Sequence, residues 1–184
     1  MQIIPGRAAT ILSAAAFAIA SCVLTVNTAF AQQKHKVVLA VPATSTKYTQ
    51  QHVIDVGDVA GHQVRVYEIQ RLYPADAPKI EGARLVESWT RGYSDYVELN
   101  GPSIVYNVYV LEGGDKIFAR SDLLAQSQPQ ADGSSRTTTV GVARITGGTG
   151  KFRGIQGTIK SLTTSDIKAG VNSTQTEFDY WMGM

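Results

Sequence analysis

The segment ITGGTGKFRGIQG, Ile145 to Gly157, holds five glycines and a lysine directly after the third. Glycine-rich loops with a lysine can cradle phosphate through backbone N–H groups. The spacing here does not. A P-loop needs Gly, four residues, then Gly-Lys-Ser/Thr, but position 145 is Ile and Lys151 precedes Phe152. A dinucleotide fingerprint needs a third Gly where Arg153 stands, with Gly154 one residue late. Both loops also open a helix, whereas GIQGTIKSL reads as a strand. The cluster is therefore read as backbone geometry. Gly147, Gly148 and Gly150 permit a tight reversal, Lys151–Arg153 make a single turn with Phe152 folded inward, and Gly154 and Gly157 let the next strand bend.

Other chemistry-bearing residues lie on strands. In QVRVYEIQRLY, Gln63 to Tyr73, alternation puts Val64, Val66, Glu68, Gln70 and Leu72 on one face. A carboxylate among apolar neighbours must pair, accept hydrogen bonds or shift its pKa upward. Glu68 is thus either a cavity acid or a solvated charge on an outer wall. On the strand Arg84–Leu99, Glu87, Trp89, Arg91, Tyr93 and Asp95 share a face, which fits ligand contacts or cross-strand ion pairs and aromatic packing. Tyr106 and Tyr109 fall on opposite faces, so at most one lines a pocket. Arg144 shares a face with Val140 and Val142; it either meets Glu68 or an acidic ligand head across an interior, or sits on the outer wall.

The elements that must hold these residues are strands. No window repeats apolar residues at helical spacing behind a cap. Alternating β-branched and aromatic runs predict strands at 51–56, 63–73, 84–99, 103–111, 116–125, 136–145, 154–163 and 174–182, with a further N-terminal strand at 34–41. Gln126–Ser135 reads as a polar loop. About eight short strands between turn signals indicate a sandwich or barrel.

Met1–Ala31 has the form of a signal peptide: Arg7, an apolar Ile11–Val26 and the A-x-A site Ala29–Ala31. Residues 32–184 then form one domain, secreted or periplasmic, with no stable membrane span after signal removal. A lipobox-like Ile19-Ala20-Ser21-Cys22 offers a lipid anchor at Cys22 instead. Cys22 is the one cysteine, so residues 32–184 hold no disulfide and no thiolate. Lys+Arg number 17 and Asp+Glu 15, and only Arg7 leaves with the signal, so sixteen basic residues face fifteen acidic ones. No basic run supplies the electrostatics of nucleic-acid binding. His35, His52 and His62 lack metal-ligand spacing, and no G-x-S-x-G elbow is present. Asn172-Ser173-Thr174 is a glycosylation sequon by pattern.

ITGGTGKFRGIQGTIK resembles the glycine signature of the allene oxide cyclase and dirigent barrel superfamily. VYEIQ, Val66–Gln70, is similar to the cyclases' Val-Tyr-Glu-Ile-Asn, and EFDYWM to their aromatic last strand. The resemblance implies an all-β, eight-stranded antiparallel closed barrel, calycin-like in form, often a homotrimer, with an apolar cavity opening at one end. It implies a cavity acid at Glu68 with Gln70 in place of the Asn, as the catalytic pair of a cofactor-free isomerase or cyclase without metal. Tyr93, Tyr106, Arg144, Phe178 and Tyr180 are the ligand-binding candidates. The ligand expected is a small apolar, amphipathic or phenolic molecule. The alternative is a non-catalytic binding or stereo-guiding protein. The criterion between the two is an interior cavity of roughly 300 Å³ or more with Glu68 facing it.

Overall fold

The computed structural model describes residues 33–183, apart from 167 and 170. The signal-peptide and Cys22 expectations fall outside these residues. The described chain is antiparallel β-structure: β1 His35–Val41, β2 Thr46–Asp55, β3 His62–Leu72, β4 Lys79–Ile80, β5 Ala83–Val97, β6 Gly101–Leu111, β7 Lys116–Pro129, β8 Ser135–Gly148, β9 Ile155–Asp166 and β10 Val171–Met182. Short 3-10 turns at Ala43–Ser45 and Gly150–Phe152 interrupt it.

The sheet order is β1-β10-β9-β8-β7-β6-β5-β3-β2, with β4 paired to β5. This corrects the expected eight-stranded closed barrel. The described residues form ten strands, and the edges β1 and β2 do not bond to each other. They are consecutive pieces of one N-terminal segment, split where Pro42 enters the Ala43–Ser45 turn. Pro fixes its φ and has no N–H to give a ladder. One half of the segment therefore serves β10 and the other serves β3. The sheet is nonetheless rolled: side chains from β3 and from β5 through β10 line one interior space. A seam remains between β2 and the start of β10, because β1 reaches only Thr174 of β10.

The interior is graded along its length. Near the β3–β5 connection, the β6–β7 turn and the glycine cluster it is apolar, with Ile80, Leu85, Leu111, Ile117, Phe152 and Phe178 at 0–1 % exposure. The glycine cluster performs the geometry read from it. Phe152 is buried in the core, Gly150 sits at φ 51, and a Cβ on Gly150 would collide with the Asp115 carboxylate. Asp115 Oδ2 accepts the Lys151 N–H at 3.3 Å, so the loop already has an acceptor from its own chain.

One polar segment departs from expectation. Half of Gln126–Ser135 is strand: Gln126–Pro129 completes β7 and Ser135 opens β8, in register from Ala125↔Thr139 to Pro129↔Ser135, with a turn at 130–134 between them. Ladder bonds are made by the backbone, so Gln, Ser and Thr extend a hairpin whose side chains face solvent or one another.

Candidate functional site

On β3 the residues that face inward are the odd-numbered ones. Arg65, Tyr67, Ile69 and Arg71 line interior space, which fixes the opposite parity as the outer wall. Two chambers occupy the interior, of about 60 Å³ and about 110 Å³, and Arg71, Thr90, Leu123 and Thr163 border both. A chain of hydrogen bonds runs around the roll at this level. Arg71 Nη1 donates to Thr90 Oγ1 (3.0 Å), Thr90 Oγ1 to Asn107 Oδ1 (2.8 Å), and Asn107 Nδ2 to Ser121 Oγ (3.0 Å). Four adjacent strands contribute one residue each. Tyr73 and Ser88 pair beside it at 3.2 Å.

The polar level is incompletely satisfied. Arg65 Nε, Arg71 Nε, Ser94 Oγ and Asn172 Oδ1 are buried without a partner among the described residues. Such atoms are uncommon in a native interior and mark places where a further group is wanted. Burial raises the pKa of Tyr67, Tyr73 and Tyr109, while Arg71 pulls each the other way. These phenols stay protonated at neutral pH and can donate. Access lies at the seam: Tyr48 and Gln51 on β2 and Asn172 on β10 all line the larger chamber, and Tyr48 is 49 % exposed.

Phe178 and Tyr180 do face the interior, but at its apolar end. Phe178 packs edge-on against Tyr109 with ring centroids 4.9 Å apart. Tyr180 OH donates to Glu81 Oε1 at 2.9 Å, and His35 stacks on its ring. Burial first, then the bond to Glu81, pushes the Tyr180 phenol up to about 12. Neither residue lines a chamber; both belong to the packed core that closes this end.

The remaining candidates stand on the outer wall. Glu68 pairs with Arg91 Nε at 2.5 Å and accepts from Thr49 Oγ1 at 2.6 Å. These bonds, that to Thr49 foremost, hold its carboxyl below the usual range. Gln70 Nε2 donates to Glu87 Oε2 at 2.9 Å. Tyr93 and Tyr106 are 45 % and 59 % exposed. With Val66, Ile104, Glu68 and Arg91 they border a surface groove of about 510 Å³. Arg144 is exposed opposite Arg120 and borders a separate outer cleft. It does not cross an interior to reach Glu68. The shared face on β5 resolves as packing and pairing: Arg91 lies over the Trp89 ring at 5.2 Å while bonding Glu68.

The interior polar residues Arg71, Thr90, Asn107 and Ser121 were not singled out from sequence. Their signal was present. The odd positions from the middle of β3 onward read Arg65, Tyr67, Ile69, Arg71 and, just past its end, Tyr73, a face with two cations, two phenols and no acid.

No family model matches the chain, and no curated protein matches it. Among solved structures it is similar to a pterocarpan synthase dirigent protein, at 12% sequence identity and a TM-score of 0.49, over 83% of this chain and 90% of that one.

Proposed function

We propose that this is an exported binding protein that holds a small amphipathic molecule inside its rolled sheet, without catalysing a reaction on it. The observation that carries this is the polar, incompletely satisfied level around Arg71, enclosed above an apolar plug and reached from the β2 seam. Chambers of about 60 and 110 Å³ suit a compact ligand; both are below the roughly 300 Å³ of a drug-sized pocket. The cyclase reading required Glu68 and Gln70 beside an interior cavity. Their parity is outward, so that reading loses its support. A stereo-guiding role, drawn from the sequence resemblance, fits the same interior. Native mass spectrometry of protein from its own host tests the proposal. A co-purified small molecule, lost on denaturation, is expected. Ligand-free protein that also fails to take small acids, alcohols and amides in titration overturns it.

A second proposal concerns partners. Val66, Tyr93, Ile104 and Tyr106 form an apolar strip on the outer wall. Exposed apolar patches of this kind favour association. The strip supports a self-associating protein, in line with the homotrimer that the resemblance implies.

A further inference from the structure

Arg71 carries a permanent charge, because a guanidinium does not lose its proton in a protein. It is 8 % exposed, bonds one hydroxyl through Nη1, and leaves Nε without a partner. Among the described residues no carboxylate borders either chamber, and no ion pair includes Arg71 or Arg65. Every acid near the middle of β3 lies on the other side of the sheet: Glu68 and Glu87 serve Arg91 and Gln70 on the outer wall. A buried cation stripped of its counter-ion is strongly unfavourable unless something else supplies one.

We propose that the missing counter-ion is a carboxylate, either a free small acid or the head group of a larger one, received by Arg71. The proposal rests on the binding function above and names the class of its ligand. A guanidinium offers two parallel N–H groups that match a carboxylate fork, and in Arg71 the buried Nε–H has no acceptor among the described residues. Arg65 Nε and Ser94 Oγ, itself 1 % exposed, are further unpartnered groups on the same chamber. From Arg71 that chamber runs past Tyr67 and Tyr96 to Tyr48 at the seam. A single aromatic ring or a short chain has polarisable rings to lie against on this path. The opposite charge is disfavoured throughout, since both arginines face the same space.

The test is calorimetric titration of the full chain at constant ionic strength with acetate, benzoate and 4-hydroxycinnamate, each beside its neutral amide. Each acid should bind more tightly than its amide, on the order of 10- to 100-fold, the range of a charge-assisted hydrogen bond. Arg71→Gln should remove that preference, bringing the affinities for each acid and its amide together. Arg71→Lys should keep part of it, because the charge stays and the fork is lost. Removing an unpaired buried charge does not threaten folding, so Arg71→Gln is a usable variant. Acetate binding as tightly as the larger acids assigns the ligand to the small-acid class. Tighter binding of the aromatic acids assigns the carboxylate to a head group. Equal affinity for acid and amide in the wild type, or an acid preference that survives Arg71→Gln, overturns the carboxylate assignment while leaving the binding function standing. No binding of any probe, acid or neutral, overturns the carboxylate assignment and counts against the binding function too.

Discussion

Replacing Phe152 with Ala tests the claim that the glycine cluster is a plug and not a phosphate site. Phe152 is 0 % exposed and belongs to the core with Ile155, Phe178 and Tyr180. Its backbone N–H bonds Thr149 O at 2.9 Å and survives the change, so the loss is that of the side chain alone. Truncating a fully buried Phe costs about 3–5 kcal/mol through lost transfer energy and the cavity left behind. For a domain of this size each kcal/mol lowers Tm by about 2–4 °C, so a fall of about 6–20 °C is expected. Circular dichroism melts of the two proteins read this directly. Lys151→Ala is the control: it removes a bond from Nζ to Glu81 O at 2.8 Å, worth about 1 kcal/mol. Millimolar phosphate or ADP should leave the wild-type melt unmoved, since a ligand that does not bind the folded state cannot stabilise it. A Phe152→Ala cost below about 1 kcal/mol refutes the plug. A phosphate-dependent rise in Tm that Lys151→Ala removes refutes the reading of the loop.

Three further outcomes are expected. His62 places Nδ1 2.6 Å from Asp58 Oδ1 and Nε2 2.7 Å from Asp95 Oδ1, an arrangement in which both nitrogens donate and the ring is an imidazolium. Its hydrogen bonds, that to Asp95 foremost, raise its pKa above 6.5. Its stabilising contribution is therefore complete below the unfolded value and is lost as pH rises through the folded one. The Tm gap between wild type and His62→Gln should be widest near pH 6 and narrow toward pH 9; a gap constant with pH rejects this. Glu68→Gln should leave the affinity for benzoate within about twofold of wild type, because the residue bonds Arg91 and Thr49 on the outer wall; a larger change would return Glu68 to the ligand. Tyr106→Lys puts a charge in the outer apolar strip and should shift sedimentation toward the monomer, while an unchanged sedimentation coefficient rules the strip out as the interface.

The strands were legible because alternation of β-branched and aromatic residues is a local property. Expected strands at 63–73, 84–99 and 103–111 correspond to His62–Leu72, Ala83–Val97 and Gly101–Leu111. The inward turn of Phe152 was legible for the same reason, since glycine spacing announces a reversal. Closure was not legible. Whether β1 and β2 bond depends on how one segment bends at Pro42, and nothing in HKVVLAV or TKYTQQHVID encodes which edge each will meet. The length of the β7–β8 hairpin was hidden by its polar side chains, which say nothing about ladder bonds.

The inside of β3 was left open by the sequence for a more instructive reason. Its two faces are Val64, Val66, Glu68, Gln70, Leu72 and Arg65, Tyr67, Ile69, Arg71, the latter continued by Tyr73 just past the strand. Burial by hydrophobicity favours the first, yet the second faces inward, leaving Val66 and Leu72 at 59 % and 52 % exposure. A roll that only had to fold would have chosen the other register, since a one-residue slip exchanges the faces. Retaining the arginines inside costs stability that the apolar plug below must offset. Leaving valine and tyrosine outside adds a liability to association. Both departures run against folding alone, and the two proposals above would account for them: an anion within, and another protein surface without. Informative burial is the polar group inside and the apolar patch outside, and β3 presents both on a single strand.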